Sequence, residues 1–136
     1  MRAFVAAIAA VMTVFLLAGC SDHGSPLETD DPPVDNGPVS FTDDIQPIFN
    51  SNCIGCHGEG GNAGLDLRSS SSYNNLVGVA ATNSMGILVV AGDSESSVIA
   101  QRLNGALGGF MPPTGPLQDP IRALVLEWIN DGALEN

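Results

Sequence analysis

Cys53-Ile54-Gly55-Cys56-His57 places two thiols and an imidazole within five residues of a 136-residue chain that has one other cysteine, Cys20, and one other histidine, His23. No other stretch narrows the possible folds as much. Two cysteines at this spacing are a disulfide, part of a zinc site, a redox dithiol or the anchor of a covalent cofactor, and each needs different company elsewhere in the chain.

The compartment comes first. Met1-Arg2 is a short positive start, and Ala3 to Leu17 is an uncharged apolar run of 15 residues. That length suits the apolar core of an export signal better than a membrane span, which needs about 20 residues. The run ends in Leu17-Ala18-Gly19-Cys20, which resembles the lipobox of bacterial lipoproteins. The resemblance implies a signal peptide over 1–19 and lipidation of Cys20, which would then anchor the chain to a membrane. Ser21 in place of aspartate weakly favours the outer membrane. Export brings an oxidising compartment, and lipidation leaves Cys53 and Cys56 as the only pair of thiols.

Charge excludes one class of partner. The chain carries 15 acids against 4 Lys+Arg, a net −11 at pH 7, and it contains no lysine. Nucleic-acid binding requires a basic face. An acidic surface favours basic protein partners instead. Residues 20–40 carry Pro26, Pro32, Pro33 and Pro38, five of the acids and few apolar side chains, a composition that cannot bury enough surface to fold. They read as a flexible, extended tether. His23 lies in it and reads as solvated.

Residues 41–136 read as the folded domain. Phe41, Ile45, Ile48 and Phe49 have helical spacing before Cys53, with Thr42 or Asp44 as the expected cap. Ser72 to Val77 reads as one short helix, and Ser94 as the cap of a helix over 95–103. Asp119-Pro120 opens the clearest helix, with Ile121, Leu124, Val125, Trp128 and Ile129 on one face and Gly132 as its stop. Gly86 to Ala91 is the one stretch that reads as a possible strand. The expected class is small and all-α, with about three to five helices, long loops and a core sparse enough to gain from a cofactor.

This company decides the motif. Structural zinc takes four nitrogen or sulfur ligands, and the domain offers no histidine or cysteine beyond the motif itself. A thioredoxin-like dithiol belongs in an α/β unit, and no β-α alternation follows here. A disulfide across two residues closes too small a loop to stabilise much. C-x-x-C-H is the attachment signature of c-type haem. Cys53 and Cys56 would each form a thioether to one haem c, and His57 would ligate its iron. Of the candidates for the other axial position, His23 is in the tether. Met85 sits beside an apolar run and reads as packing. Met111 lies in Gly108-Gly109-Phe110-Met111-Pro112-Pro113-Thr114-Gly115, where glycines allow close approach and prolines stiffen the loop. Met111 is the expected ligand, with an open or exchangeable sixth site as the alternative.

The arrangement resembles the monohaem cytochrome c domains with His–Met ligation. The resemblance runs from about Phe41 to Gly132, through Asp44-Ile-Gln-Pro-Ile-Phe49, the CIGCH motif, Gly64-Leu-Asp-Leu-Arg68, Ala91 to Ile99, Met111-Pro-Pro113 and the terminal helix. It implies a small helical fold around one covalent haem, with Phe49 and Trp128 where the first and last helices cross. It also implies single-electron transfer without bond chemistry, between exported or membrane-bound redox proteins, with no small-molecule substrate. Arg68 is the leading candidate to pair with a haem propionate and Arg102 the second. A sensor or peroxidase-like protein with an open or displaceable sixth site is the alternative function. Many soluble members of that family surround the haem edge with lysines. This chain has none, so the choice of partner does not carry over from them, and it is the acidic surface that leads to the expectation of redox partners with a basic docking face.

Overall fold

The computed structural model describes residues 37–136. The signal peptide, Cys20, Ser21, His23 and nearly all of the tether lie outside the described residues. The compact unit spans Asn36–Asn136, starting a few residues before Phe41 because Val39 is buried and Ser40 caps the first helical turn.

Ser40 takes the capping role expected of Thr42 or Asp44. Its hydroxyl accepts the Asp43 N–H at 3.2 Å, and its own N–H donates to the Asp44 carboxylate at 2.8 Å. The exchange satisfies two donors at a helix start that would otherwise be orphaned. A π-helical turn, Phe41–Ile45, runs directly into α1, Gln46–Asn52. Pro47 sits in the first turn of α1. A proline ring clashes with the carbonyl four residues back in a regular helix, and the wider preceding turn provides room for it.

A 3₁₀ turn, Asn62–Gly64, and a short helix α2, Ser72–Leu76, follow. Residues 77–97 form no strand. Val77 with Val89, Ala80 with Ile87, Ile87 with Ser97 and Val90 with Asp93 pair only as isolated bridges. Gly86 and Gly92 take positive φ of 122° and 82°, turning the chain before a ladder can propagate. Helix α3 spans Val98–Leu103, shorter than expected. The Ser97 hydroxyl accepts from Val90 N at 2.8 Å and donates to Asp93 O at 2.7 Å, so residues 93–97 form a turn before the helix starts. Helix α4, Asp119–Asn130, is as long as its apolar spacing implies.

The core forms where the first helical segment crosses α4. Phe49 and Trp128 are both fully buried there, but Phe41 joins them. Its ring centroid lies 5.2 Å from Trp128, 5.2 Å from Tyr73 and 6.2 Å from Phe49. Polar ties close the ends. Asn136 accepts from Thr42 N and Ser40 Oγ through its carbonyl and from Phe41 N through Oδ1. The indole N–H donates to Leu134 O at 3.0 Å, and the Tyr73 hydroxyl to Ala133 O at 2.9 Å. Buried Gln46 donates to Leu67 O at 2.9 Å and accepts from the buried Ser72 hydroxyl, tying α1 to α2. Among the described residues no buried side-chain polar atom lacks a partner, and no helix is long and apolar enough to cross a membrane.

Removing the central ring should be expensive. Phe41→Ala is expected to lower the stability of the haem-loaded protein by about 3–5 kcal/mol, read from its denaturant midpoint. A loss below about 1 kcal/mol would show that this crossing does not hold the fold together.

Candidate haem site

Helix α1 ends where the motif begins. The Phe49 carbonyl accepts both Cys53 N at 2.9 Å and Ile54 N at 3.1 Å, and the Cys53 carbonyl accepts Cys56 N at 3.0 Å and His57 N at 2.9 Å. The motif is therefore a tight turn built on the end of a helix. Cys53 and Cys56 are free thiols. Burial, followed by the neighbouring Cys56, pushes the Cys53 thiol up to about 11. Cys56 is exposed.

His57 is held twice. Its carbonyl accepts Leu67 N at 2.8 Å, and its Nδ1 lies 3.1 Å from the Asn62 carbonyl. A carbonyl oxygen can only accept, so this contact assigns the ring proton to Nδ1 and leaves the Nε2 lone pair for a metal. Asn62 is in place because its own N–H donates to Cys56 O at 2.9 Å. Between them, Gly61 has no room for a side chain. A Cβ there would stand 2.7 Å from Cys56 O, 2.8 Å from Gly58 N and 2.9 Å from Gly58 O.

A cavity of about 530 Å³ opens beside this turn, within the range of about 300–1,000 Å³ usual for cofactor and ligand sites. Cys53, Cys56, His57 and Met111 all line it. Its wall is largely apolar, with Ile48, Leu65, Leu88, Val98, Leu103 and Val125, and residues 79–84 close part of it. The donor set suits haem c: two thiols for the vinyl groups, an imidazole with a free Nε2, a thioether and an apolar slot. Zinc finds no such set. Among the described residues, no three His, Cys, Asp or Glu side chains gather where they could hold a metal ion.

The two methionines differ. Met111 lines the cavity and is 36% exposed. Met85 is 98% exposed and does not line it, so the expectation that it packs in the core is corrected. The Gly86 turn carries its side chain outward, while its neighbours Asn83 and Ser84 line the wall.

Arg68, the leading candidate for a propionate, is not on the cavity wall. Its guanidinium is occupied by Asp66 at 2.7 Å and Glu59 at 2.9 Å. Asp66 first, then Glu59, raise the arginine further above its usual range, and the arginine holds the Asp66 carboxyl below its own. Arg102, by contrast, does line the cavity. The Asn62 carbonyl and residues 79–84 were not anticipated from sequence. The first acts through its backbone, and the second has neither periodicity nor a motif.

A model of the family described as Planctomycete cytochrome C matches residues 53–115, from the first cysteine of the motif through the Met111 loop. Among solved structures, Kuenenia stuttgartiensis hydrazine synthase is similar, at 21% identity and a TM-score of 0.52. The alignment covers 70% of this chain but only 16% of that one, so the likeness is one of fold. No curated protein matches the chain. With the cavity and its donor set, the family match supports a cytochrome c-like domain over residues 53–115.

Two substitutions test the site. Gly61→Ala is expected to reduce the fraction of chain that acquires covalent haem several-fold, because every atom it meets is backbone; undiminished attachment would show that the turn can rearrange. Arg68→Ala is expected to leave haem attachment and reduction potential unchanged; a shifted potential would return Arg68 to the site.

Proposed function

We propose that this protein is a lipid-anchored monohaem cytochrome c that carries single electrons between exported or membrane-bound redox proteins. The observation that carries the reading is the convergence of Cys53, Cys56, His57 and Met111 on one apolar cavity. When bound, the haem supplies an iron that gains and loses one electron. Cys53 and Cys56 would hold it covalently through two thioethers. His57 would present Nε2 to the iron, with the Asn62 carbonyl fixing the tautomer. Met111 would supply a soft thioether, which favours reduced iron and a raised potential.

With His57 and Met111 both holding the iron, the protein would perform no bond chemistry and take no small-molecule substrate. Cys20 carries the lipid, and residues 20–40 give the domain reach while keeping it near the membrane. The net charge of −11 without a single lysine favours a partner with a basic docking face. The compartment is the periplasm or the cell exterior, with Ser21 weakly favouring the outer membrane. The alternative of a sensor or peroxidase-like protein needs Met111 to leave the iron, and the same measurements decide it.

The experiment is an optical and electrochemical titration of the full chain, expressed with haem-attachment machinery, beside Met111→Ala. The wild type is expected to show covalent haem, a methionine-to-iron charge-transfer band and no rapid carbon monoxide binding when reduced. The variant is expected to lose the band, bind carbon monoxide and fall in potential by on the order of 0.1 V, a part of the ~0.8 V span that axial ligands control. Covalent haem without the band in the wild type would overturn His–Met ligation and bring the sensor or peroxidase reading forward.

A further inference from the structure

The loop that brings Met111 to the cavity is tied to α3 by main-chain bonds from Ala106 N to Gln101 O at 2.8 Å and from Gly105 N to Arg102 O at 3.2 Å, and its far end by Arg102. Arg102 is in the last turn of α3. Its carbonyl accepts the Met111 N–H at 3.0 Å. Its guanidinium Nη1 donates to the Leu107 carbonyl at 2.8 Å. One bond is made at the ligand and the other four residues before it. Between them, Gly108 and Gly109 take φ of 82° and 144°, which reverse the chain at no cost to glycine. The Phe110 ring lies against Gly105, so close that a Cβ there would stand 3.0 Å from two ring carbons. Glycines at the reversal make this loop loose unless something holds it, and the Leu107 carbonyl is the point that the Arg102 side chain holds.

The charge pattern singles out the same residue. Arg68 pairs with Asp66 and Glu59, and Arg122 with Asp119. Arg102 makes no ion pair among the described residues, although the chain is strongly acidic. Half-buried on the cavity wall, it donates from its side chain to a backbone carbonyl. An arginine whose only requirement was charge balance would be expected to find a carboxylate.

We propose that Arg102 is a positioning residue for Met111: its guanidinium clamps the Leu107 carbonyl, keeps residues 107–111 against α3 and so holds the thioether at the iron. This rests on the His57–Met111 reading above. The clamp acts on how readily Met111 gives up its place, and that equilibrium can be read apart from electron transfer. The main-chain bond from Met111 survives every substitution at 102, so removing the guanidinium loosens the loop without cutting it.

The test is imidazole binding to the full, haem-loaded oxidised chain, followed optically as loss of the methionine-to-iron band. Wild type is compared with Arg102→Met, which keeps the apolar stem, with Arg102→Gln and Arg102→Lys, and with Met111→Ala. Arg102→Met is expected to bind imidazole about tenfold more tightly than wild type, the effect of losing roughly one hydrogen bond to a charged donor. Arg102→Lys is expected to recover part of the difference, since its ammonium can still donate to one carbonyl. Should Arg102→Met not acquire haem, Arg102→Gln and Arg102→Lys carry the comparison. Wild-type imidazole affinity in the variants that mature would overturn the clamp. A changed reduction potential with unchanged imidazole affinity would overturn it as well, assigning Arg102 to the charge of the cofactor. If wild type already binds imidazole as tightly as Met111→Ala, then His–Met ligation fails first, and the two failures are distinct.

Discussion

Phe49 joins the core to the chemistry. Its side chain is buried beside Phe41 and also forms part of the cavity wall. Its carbonyl stops α1 by accepting the Cys53 and Ile54 N–H groups. The first cysteine therefore starts from a residue that the core cannot release without unpacking. From there Cys53 holds Cys56 and His57 by backbone bonds, and Asn62 fixes the imidazole. Order passes from the aromatic crossing to the ring nitrogen through rigid steps. Such a site needs little reorganisation when an electron arrives, and that suits a carrier.

The Met111 side is built differently. No helix presents the thioether. It sits on a glycine-rich loop whose attachments run to the end of α3, through the Arg102 carbonyl and guanidinium. The two proposed iron ligands therefore differ in how firmly the protein holds them. His57 is set into a backbone turn, and Met111 is held at the edge of the fold with part of its surface exposed. Loops of few apolar contacts open at lower free energy than a core does, so on the proposed reading any exchange of ligand would begin at Met111.

The cavity also bears on stability. A domain of this size buries a modest fraction of its surface, and here a central volume of about 530 Å³ is lined by apolar side chains. Unfilled apolar volume is destabilising. A bound haem would fill space that side chains leave, and of the aromatic crossing only Phe49 lines that space, while Phe41, Tyr73 and Trp128 do not.

Much of this was legible in the sequence, where each feature depended on local chemistry. The spacing of Val125, Trp128 and Ile129 defined a helix face, and a helix of that length buries the same face. Cysteines three apart with histidine next describe a single turn, so neighbours in sequence are neighbours in space. Helix starts were less legible. Ser40 rather than Thr42 caps the first turn, and the Ser97 hydroxyl is taken by residues 90 and 93; several serines and acids stand near each boundary, and only packing selects among them.

By itself the sequence determined the anchor motif, the acidic balance, the helical class and the short set of candidate axial ligands, because each follows from residue type and near-neighbour spacing. Tertiary structure alone decided which methionine lines the cavity, which arginine reaches it and which carbonyl orients the histidine. Arg68 and Arg102 are equally cationic, and the sequence put Arg68 first. One is drawn into a pair with Asp66 and Glu59, and the other is carried by α3 to the cavity wall. Those outcomes depend on long-range packing and on backbone atoms, and a carbonyl oxygen is the same atom in every residue.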